Sequence, residues 1–270
     1  MSDLRIFSYL PNPRIWKATI AARLCGVEVE VRGSSPKELG SWLWDFDARP
    51  LSSNELATSA DTRTGKVGFT GTLHKTTAFM DAHPFGAVPA AFSPDGKTGI
   101  FESNSIMRAV ARLGEKRFPL YGRNVYEAAR VDSFLDASLV FARDSQIYLL
   151  SLISGTVSTE IHSRMRDSFT FYLAGINQAL SPGRDFLVGE SISIADICFV
   201  AELALFFNEK ARPGELEKKG FEPILQDGID AEFPLAFAHF ARLSKHAAFA
   251  PDMEPYLKKI ESSRQAHANR

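Results

Sequence analysis

The order of short apolar segments in the first 31 residues constrains the fold more than any other feature of this chain. Residues 4–9 predict a strand, and residues 14–25 predict a helix because apolar side chains recur at helical spacing until Gly26. Residues 27–31 predict a second strand. A strand–helix–strand unit joins two parallel strands by a right-handed crossover. The chain therefore begins as one half of an α/β domain.

A hairpin and a helix complete this first domain. Residues 90–92 and 99–101 predict strands on either side of a turn at residues 94–97, and a helix is predicted over residues 105–112, ending at Gly114. Together with the opening unit, the order is βαβ and then ββα. This order predicts a thioredoxin-like α/β domain over residues 1–116.

A long segment interrupts that domain at residues 33–72. It is rich in Ser, Thr, Gly and Asp, which is typical of a loop, and loops of this length are either functional or disordered. It also carries Trp42, Trp44, Phe46 and Phe69, which indicates that part of it packs against other residues. We expect an insertion here, followed by a short helix over residues 73–82.

The second half of the chain predicts only helices, which defines an all-α domain over residues 117–270. Ser193 and Asp196 have the spacing of an N-terminal capping box, with Ile192 and Ile197 as a hydrophobic staple around it. The helix that follows is the most apolar segment and is expected to be the buried centre of this domain. Helices are predicted over residues 125–152, 158–180, 191–210, 234–246 and 252–265.

Composition excludes several classes of protein. The chain has 31 basic and 32 acidic residues, so no charge excess favours nucleic acid or an anionic membrane. Its two cysteines, Cys25 and Cys198, lie in apolar helical patterns, and neither a disulfide framework nor a zinc-binding spacing is present. We expect no metal site. Without a signal peptide or an apolar run of about 20 residues, the expected location is the cytoplasm.

The pair Val88-Pro89 stands at the start of a predicted strand, after Gly86. Taken alone, Pro89 is best interpreted as a turn proline, since only about 5–6% of X–Pro bonds in folded proteins are cis. In a thioredoxin-like layout a cis proline is expected at this point. It would leave the backbone of Val88 as an unpaired sheet edge, to which an extended peptide could add.

The pair Glu102-Ser103 joins the last strand of the hairpin to the next helix. Ser103 is placed to cap that helix, which would be a purely structural role. The same helix start, with free backbone N–H groups and a hydroxyl, is also a ready site for a carboxylate. Glu102 can accept from an ammonium group. Such a combination suits the α-amino acid end of a ligand.

Three stretches, VPA, ES and FLVGESISIADI, resemble the cytosolic glutathione transferase superfamily. Within it, YLPNPRIWKATIAA, FESNSI and FLVGESISIADICFVAEL are most similar to the transferase-like domain of the gamma subunit of elongation factor 1B. The resemblance implies glutathione bound at Val88, Pro89, Glu102 and Ser103, a hydrophobic co-substrate and a homodimer. One departure is Ala87, where relatives often have a basic residue or Gln.

A transferase must also stabilise the thiolate of glutathione, and the donor is expected just after the first strand. Asn12 is the favoured candidate, although it precedes Pro13 as a natural helix cap, and the two roles are compatible. Tyr9 is second, because its alternation with Phe7 could direct it into the core. Ser8 has suitable chemistry but could point to the other face of the strand, and Arg14 could add positive charge near the sulfur or simply face solvent.

The resemblance implies a glutathione transferase, and two alternatives remain. One is a non-enzymatic assembly module like the elongation-factor domain. Because no lysine-rich linker or further domain follows within the 270 residues, we expect a free-standing enzyme instead. The other is a glutathione-dependent reductase or etherase, although residues 10–14 contain no cysteine for thiol exchange.

Overall fold

The computed structural model of the chain describes residues 2–65, 68–69, 71–181 and 183–268, so residues 66, 67 and 70 of the expected insertion lie outside the described residues. The chain divides into two compact units, residues 1–118 and 119–270. The strands are β1 (Leu4–Tyr9), β2 (Val29–Ser34), β3 (Trp42–Trp44), β4 (Arg49–Pro50), β5 (Thr62–Thr64), β6 (Thr72–Lys75), β7 (Ala90–Phe92) and β8 (Gly99–Phe101). The helices are α1 (Pro13–Cys25), α2 (Ser53–Thr58), α3 (Thr77–Ala82), α4 (Ser103–Leu113), α5 (Val125–Ser154), α6 (Thr159–Ala179), α7 (Ile194–Phe206), α8 (Pro213–Glu217), α9 (Ile229–Glu232), α10 (Pro234–Ser244) and α11 (Ala250–Ala268).

The first unit contains the expected thioredoxin-like sheet, with strands in the order β2-β1-β7-β8. Strand β1 is parallel to β2 and antiparallel to β7, and β7 is antiparallel to β8. The crossover helix α1 packs beside α4. The predicted α/β fold class is therefore confirmed.

Helix α1 has sharply defined ends. The side chain of Asn12 caps its N-terminus by accepting a hydrogen bond from the backbone N–H of Arg14, and Pro13 occupies the first turn, where its missing N–H has no cost. Gly26 ends the helix in the left-handed region, with φ of 68°. Both boundaries match the sequence prediction.

The insertion is a folded substructure. Strands β3 to β6 form a second four-stranded sheet in the order β4-β3-β6-β5, in which β3 and β6 are parallel. The expectation of a loop over residues 33–72 was therefore wrong for much of the segment. The expected helix over residues 73–82 was wrong at its start, because Thr72–Lys75 is strand β6 and the helix begins only at Thr77. Thr76 caps the N-terminus of α3, because its hydroxyl oxygen accepts a hydrogen bond from the backbone N–H of Phe79.

The aromatic residues of the insertion pack against the thioredoxin-like sheet, as the sequence indicated. Trp44 is 1% exposed and meets Phe7 of β1 edge to face, with ring centroids 5.4 Å apart. Phe79 of α3 lies 5.9 Å from the Trp44 ring, and Phe92 of β7 belongs to the same buried cluster. This cluster joins the two sheets into one core.

The second unit is helical, as predicted. Its central helix α7 is buried along almost its entire length. Phe141 stacks on Tyr172 with centroids 4.6 Å apart and is 1% exposed, so it belongs to the core of this unit. Among the described residues, no helix is long and apolar enough to cross a membrane.

The predicted capping box at α7 is present and extends into a larger network. The fully buried carboxylate of Asp196 accepts from the backbone N–H groups of Ser193 and Leu187 at 2.8 and 2.9 Å. It also accepts from the Ser193 hydroxyl at 2.7 Å and from Nε2 of buried His239 at 2.9 Å. One carboxylate thus joins the start of α7, the preceding loop and helix α10.

We expect Asp196→Ala to lower the free energy of unfolding by about 3 kcal/mol or more, because several buried donors lose their acceptor at once. Ser193→Ala removes only part of the cap and should cost about 1 kcal/mol. Urea denaturation followed by circular dichroism measures both. The control is Glu190→Ala, whose side chain is 90% exposed. An Asp196→Ala variant as stable as this control would contradict the role of the network.

Candidate functional site

The register of the first sheet brings the predicted site residues to one end of it. Phe7 of β1 pairs with Ala90 of β7, and Ala90 pairs with Phe101 of β8. Because both pairings are antiparallel, the residues that follow Phe7, precede Ala90 and follow Phe101 lie at the same end of the sheet. They are Tyr9 after Phe7, Val88-Pro89 before Ala90, and Glu102-Ser103 after Phe101.

The Val88–Pro89 peptide bond is cis, as expected for this layout. Both residues are half-buried, and the preceding Ala87 is exposed. The backbone N–H and C=O of Val88 form no hydrogen bond within the part of the chain that the structure describes. A free donor and a free acceptor therefore stand at the end of β7, the arrangement to which an extended peptide can pair.

Helix α4 begins at Ser103, two residues before the predicted start at residue 105. Glu102 is its N-cap residue, with φ of 66°, and Ser103 is the first helical residue. The side chain of Glu102 makes no capping hydrogen bond, and Ser103 is already helical, so the expected role of Ser103 as the N-cap residue was wrong. A non-glycine residue in the left-handed region is uncommon and suggests a functional constraint. Glu102 is exposed and Ser103 half-buried.

A buried lysine of α1 donates hydrogen bonds to the first two residues of α4. Lys17, on α1, is 1% exposed, and its ammonium group donates to Ser103 Oγ at 3.3 Å and to Asn104 Oδ1 at 2.8 Å. Because the ammonium group donates to Oγ, the hydroxyl hydrogen of Ser103 points elsewhere. Lys17 therefore adds positive charge to a helix N-terminus that already favours anions.

Two of the predicted thiolate donors bond to each other. Asn12 Nδ2 donates to Ser8 Oγ at 3.0 Å, while Asn12 Oδ1 accepts from Arg14 N at 3.0 Å. Asn12 is 1% exposed and Ser8 is fully buried. These contacts give both side chains a structural role at the β1–α1 turn. Their role as thiolate donors stays a prediction.

The remaining two candidates are partly accessible. Tyr9 is half-buried, and its ring lies 6.3 Å from that of Phe69, against the aromatic cluster. The alternation with Phe7 thus directs it toward the same face, as the sequence suggested. Arg14 is half-buried on the first turn of α1. Both are placed close in sequence to the end of β1.

The loop before the cis proline is also held firmly. The ammonium group of Lys75, at the end of β6, donates to the carbonyl of Gly86 at 2.6 Å. The N–H of Gly86 donates to His83 O at 2.8 Å. The ring of His83 stacks on Phe101 with centroids 5.0 Å apart, and burial lowers the pKa of His83.

The site offers several groups that can bind an organic ligand. No group of three or more His, Cys, Asp or Glu side chains that could hold a metal ion occurs among the described residues. The sheet end instead presents unpaired backbone groups at Val88, an exposed carboxylate at Glu102 and a hydroxyl at a positive helix start. This set can bind a small peptide through its main chain and its amino-acid head.

Solved structures with the same architecture bind such a peptide. A glutathione S-transferase from Methylobacterium radiotolerans, in complex with glutathione sulfonate, aligns with a TM-score of 0.62 at 18% identity, covering 93% of this chain and 94% of that one. A glutathione transferase from Phanerochaete chrysosporium with oxidized glutathione aligns with a TM-score of 0.62 at 16% identity, covering 97% and 98%. This chain has the glutathione transferase fold.

Curated relatives confirm the predicted resemblance to elongation factor 1B gamma. A probable elongation factor 1-gamma of Arabidopsis thaliana is 28% identical over 248 residues, covering 88% of this chain and 45% of that protein. A glutathione S-transferase-like protein of Gibberella moniliformis is 23% identical, covering 75% and 76%. The chain spans less than half the length of the elongation factors that it matches. No family model matches the sequence.

Sequence reasoning missed Lys17, Asn104 and Lys75. The burial of Lys17 could have been inferred from the sequence, because Lys17 lies among apolar residues of the predicted helix α1. Most of the neighbouring side chains on that helix are buried. No sequence pattern pointed to Asn104, because a polar residue in the first turn of a helix is ordinary. Lys75 was expected to lie in a helix, where its contact with Gly86 has no sequence signature.

We expect Lys17→Met to destabilise the chain by about 1–3 kcal/mol, because it leaves a buried amide oxygen of Asn104 without this donor. The double variant Lys17→Met/Asn104→Leu should recover part of that loss. Thermal unfolding of the single and double variants measures the coupling. The control is Lys116→Met, at an exposed position. Strictly additive losses in the double variant would contradict a direct Lys17–Asn104 interaction.

Proposed function

We propose that this chain binds glutathione at the sheet end formed by Val88, Pro89, Glu102 and Ser103. The observation that carries the proposal is the unpaired backbone of Val88 beside a cis proline, in register with the start of α4. The main chain of the tripeptide pairs with Val88. Its γ-glutamyl carboxylate meets the N-terminus of α4 and Ser103, and its ammonium group meets Glu102.

The proposed activity is that of a glutathione transferase, in which the bound thiolate attacks a hydrophobic electrophile. A thiol with a pKa near 8.5 is only a few per cent ionised at pH 7. Lowering that pKa by about two units requires about 2.7 kcal/mol, which one or two hydrogen bonds to the sulfur supply. Holding the thiolate next to the electrophile accelerates the reaction further.

Among the donors we favour Tyr9. Its hydroxyl belongs to a half-buried side chain at the end of β1, whereas Asn12 and Ser8 are buried and bond to each other. Arg14 contributes positive charge near the sulfur together with the N-terminus of α1. Asn12, which the sequence favoured over Tyr9, becomes the second candidate, because the N-terminal cap and a sulfur contact can coexist.

Assembly without catalysis is the second candidate function, and the similarity to elongation factor 1-gamma favours it. In that case the same fold would serve as a binding module for other proteins. Catalysis and assembly differ in one physical property of the site, the acidity of the bound thiol. An assembly module does not need to ionise the thiol of bound glutathione. On the same resemblance we propose a cytoplasmic location for either function.

We expect the thiol of bound glutathione to have a pKa about two units below that of free glutathione, measured by absorbance of the thiolate against pH. Tyr9→Phe should return it toward the free value, since the phenol is the proposed donor. Glu102→Gln should weaken glutathione binding about tenfold or more by removing a charged partner, without a comparable change in the bound thiol pKa.

Turnover of a chromogenic aryl halide is the matching activity test. Wild type that binds glutathione with an unshifted thiol pKa and no turnover would contradict the transferase proposal and favour assembly. An absence of glutathione binding would contradict both the site and the activity. Asn12→Ala is less informative than Tyr9→Phe, because loss of the α1 cap itself costs about 0.5–2 kcal/mol.

We also propose that the protein is a homodimer formed through α5 and α6. An apolar row, comprising Val140, Ile147, Leu150 and Ile153, runs along α5 and is 41–62% exposed. Phe171 of α6 is 80% exposed and lines a groove together with Val140. Self-association through one twofold patch would bury this row.

We expect Val140→Glu combined with Phe171→Glu to convert a dimer into a monomer, because two buried charges per chain would oppose association. Size-exclusion chromatography with light scattering gives the mass directly. The matched control is Val125→Glu on the same helix, at a position that is 71% exposed and outside the row. A wild type with the mass of one chain would refute the dimer, and an unaffected double variant would refute this surface.

A further inference from the structure

An ammonium group of the inserted sheet (β3 to β6) holds the loop that precedes the proposed peptide-binding edge. Lys75 is the last residue of β6, where it pairs with Trp44 of β3. Its Nζ atom donates to Gly86 O at 2.6 Å and lies 4.7 Å from the centre of the Trp44 ring. Lys75 is only 7% exposed, and burial, followed by the charge of Arg63, lowers its pKa. The hydrogen bond from Lys75 to Gly86 is therefore shielded from water.

Lys75 is itself held rigidly. Its backbone N–H donates to Asp61 O at 2.8 Å, and its carbonyl accepts from Arg63 Nε at 3.2 Å. The Trp44 ring below it is fixed by Nε1 donating to Leu39 O at 3.0 Å, and it belongs to the aromatic core. The position of the ammonium group is thus set by the second sheet as a whole.

Gly86 leaves little freedom to the segment that follows it. It has φ of 59°, and a side chain there would come within 2.9 Å of Met80 Sδ and 3.4 Å of Lys75 Nζ. Its N–H is bonded to His83 and its C=O to Lys75. Three residues then connect it to Ala90, which is paired on both sides, and one of the three is Pro89. A connection this short between two fixed points confines the backbone of Val88.

We propose that Lys75 is the positioning residue for peptide recognition at Val88, and that the inserted sheet exists in part to present it. This inference rests on the proposed glutathione site and assigns one task to the insertion. The ammonium group anchors Gly86, and Gly86 fixes the free N–H and C=O of Val88 in the orientation that an extended ligand requires. Because the backbone of Val88 is already ordered before the ligand binds, less conformational entropy is lost when the complex forms.

The test compares two probes by calorimetry in wild type and Lys75→Met. Glutathione uses the Val88 edge, whereas γ-glutamylmethylamide uses only Glu102 and Ser103. Lys75→Met should weaken glutathione at least tenfold and leave the smaller probe within about twofold. Gly86→Ala, which disturbs the same anchor from the other side, should show the same selectivity. Lys97→Met, whose side chain is 84% exposed in the same unit, should change neither affinity.

Equal weakening of both probes, or unchanged glutathione affinity in Lys75→Met, would overturn the inference. Hydrogen–deuterium exchange provides a readout that does not depend on any ligand. Lys75→Met should accelerate exchange of the amides of residues 85–88, with no change in β1 or α4. Should wild type bind neither probe, the proposed function would fail, and this exchange pattern would still decide whether Lys75 holds the loop. A variant with unaltered exchange there would refute it.

Discussion

The antiparallel pairing of β7 with β1 on one side and β8 on the other is the constraint on which the first unit depends. Phe7, Ala90 and Phe101 stand in one row across three strands. A shift of one residue in either pairing would reverse which side chains face the aromatic cluster. The same row aligns Val88 with Glu102, so that a single register sets both the packing of the core and the composition of the candidate site.

Helices α1 and α7, one in each unit, were predictable because each carries a local signal. Periodic apolar residues, Pro13 and Gly26 define α1, and the capping box at Ser193 and Asp196 defines α7. The inserted sheet carries no such signal. Its strands are two to four residues long, too short for an alternating pattern to be read. They are held by pairings such as Leu43 with His74, which only the folded chain reveals.

The placement of the candidate residues was predictable to a similar extent, while their role in binding stays a prediction. The pairs Val88-Pro89 and Glu102-Ser103 are short motifs whose meaning follows from the fold. The lysines that contact these two segments are remote from them in sequence. Lys17 donates to Ser103 at a separation of 86 residues, and Lys75 donates to Gly86 across a helix and a turn. No local pattern reveals which face of β1 the insertion covers. The packing of Trp44 against Phe7 and of Phe69 against Tyr9 shows that this face carries Phe7 and Tyr9.

The central claim is that a tripeptide pairs with the backbone of Val88 while the start of α4 holds its amino-acid head. A crystal structure of the protein with glutathione tests this most directly. The account predicts main-chain hydrogen bonds of about 2.7–3.2 Å between the ligand and the N–H and C=O of Val88, with the γ-glutamyl group at Glu102 and Ser103. Glutathione bound elsewhere, or bound with Val88 untouched, would contradict it.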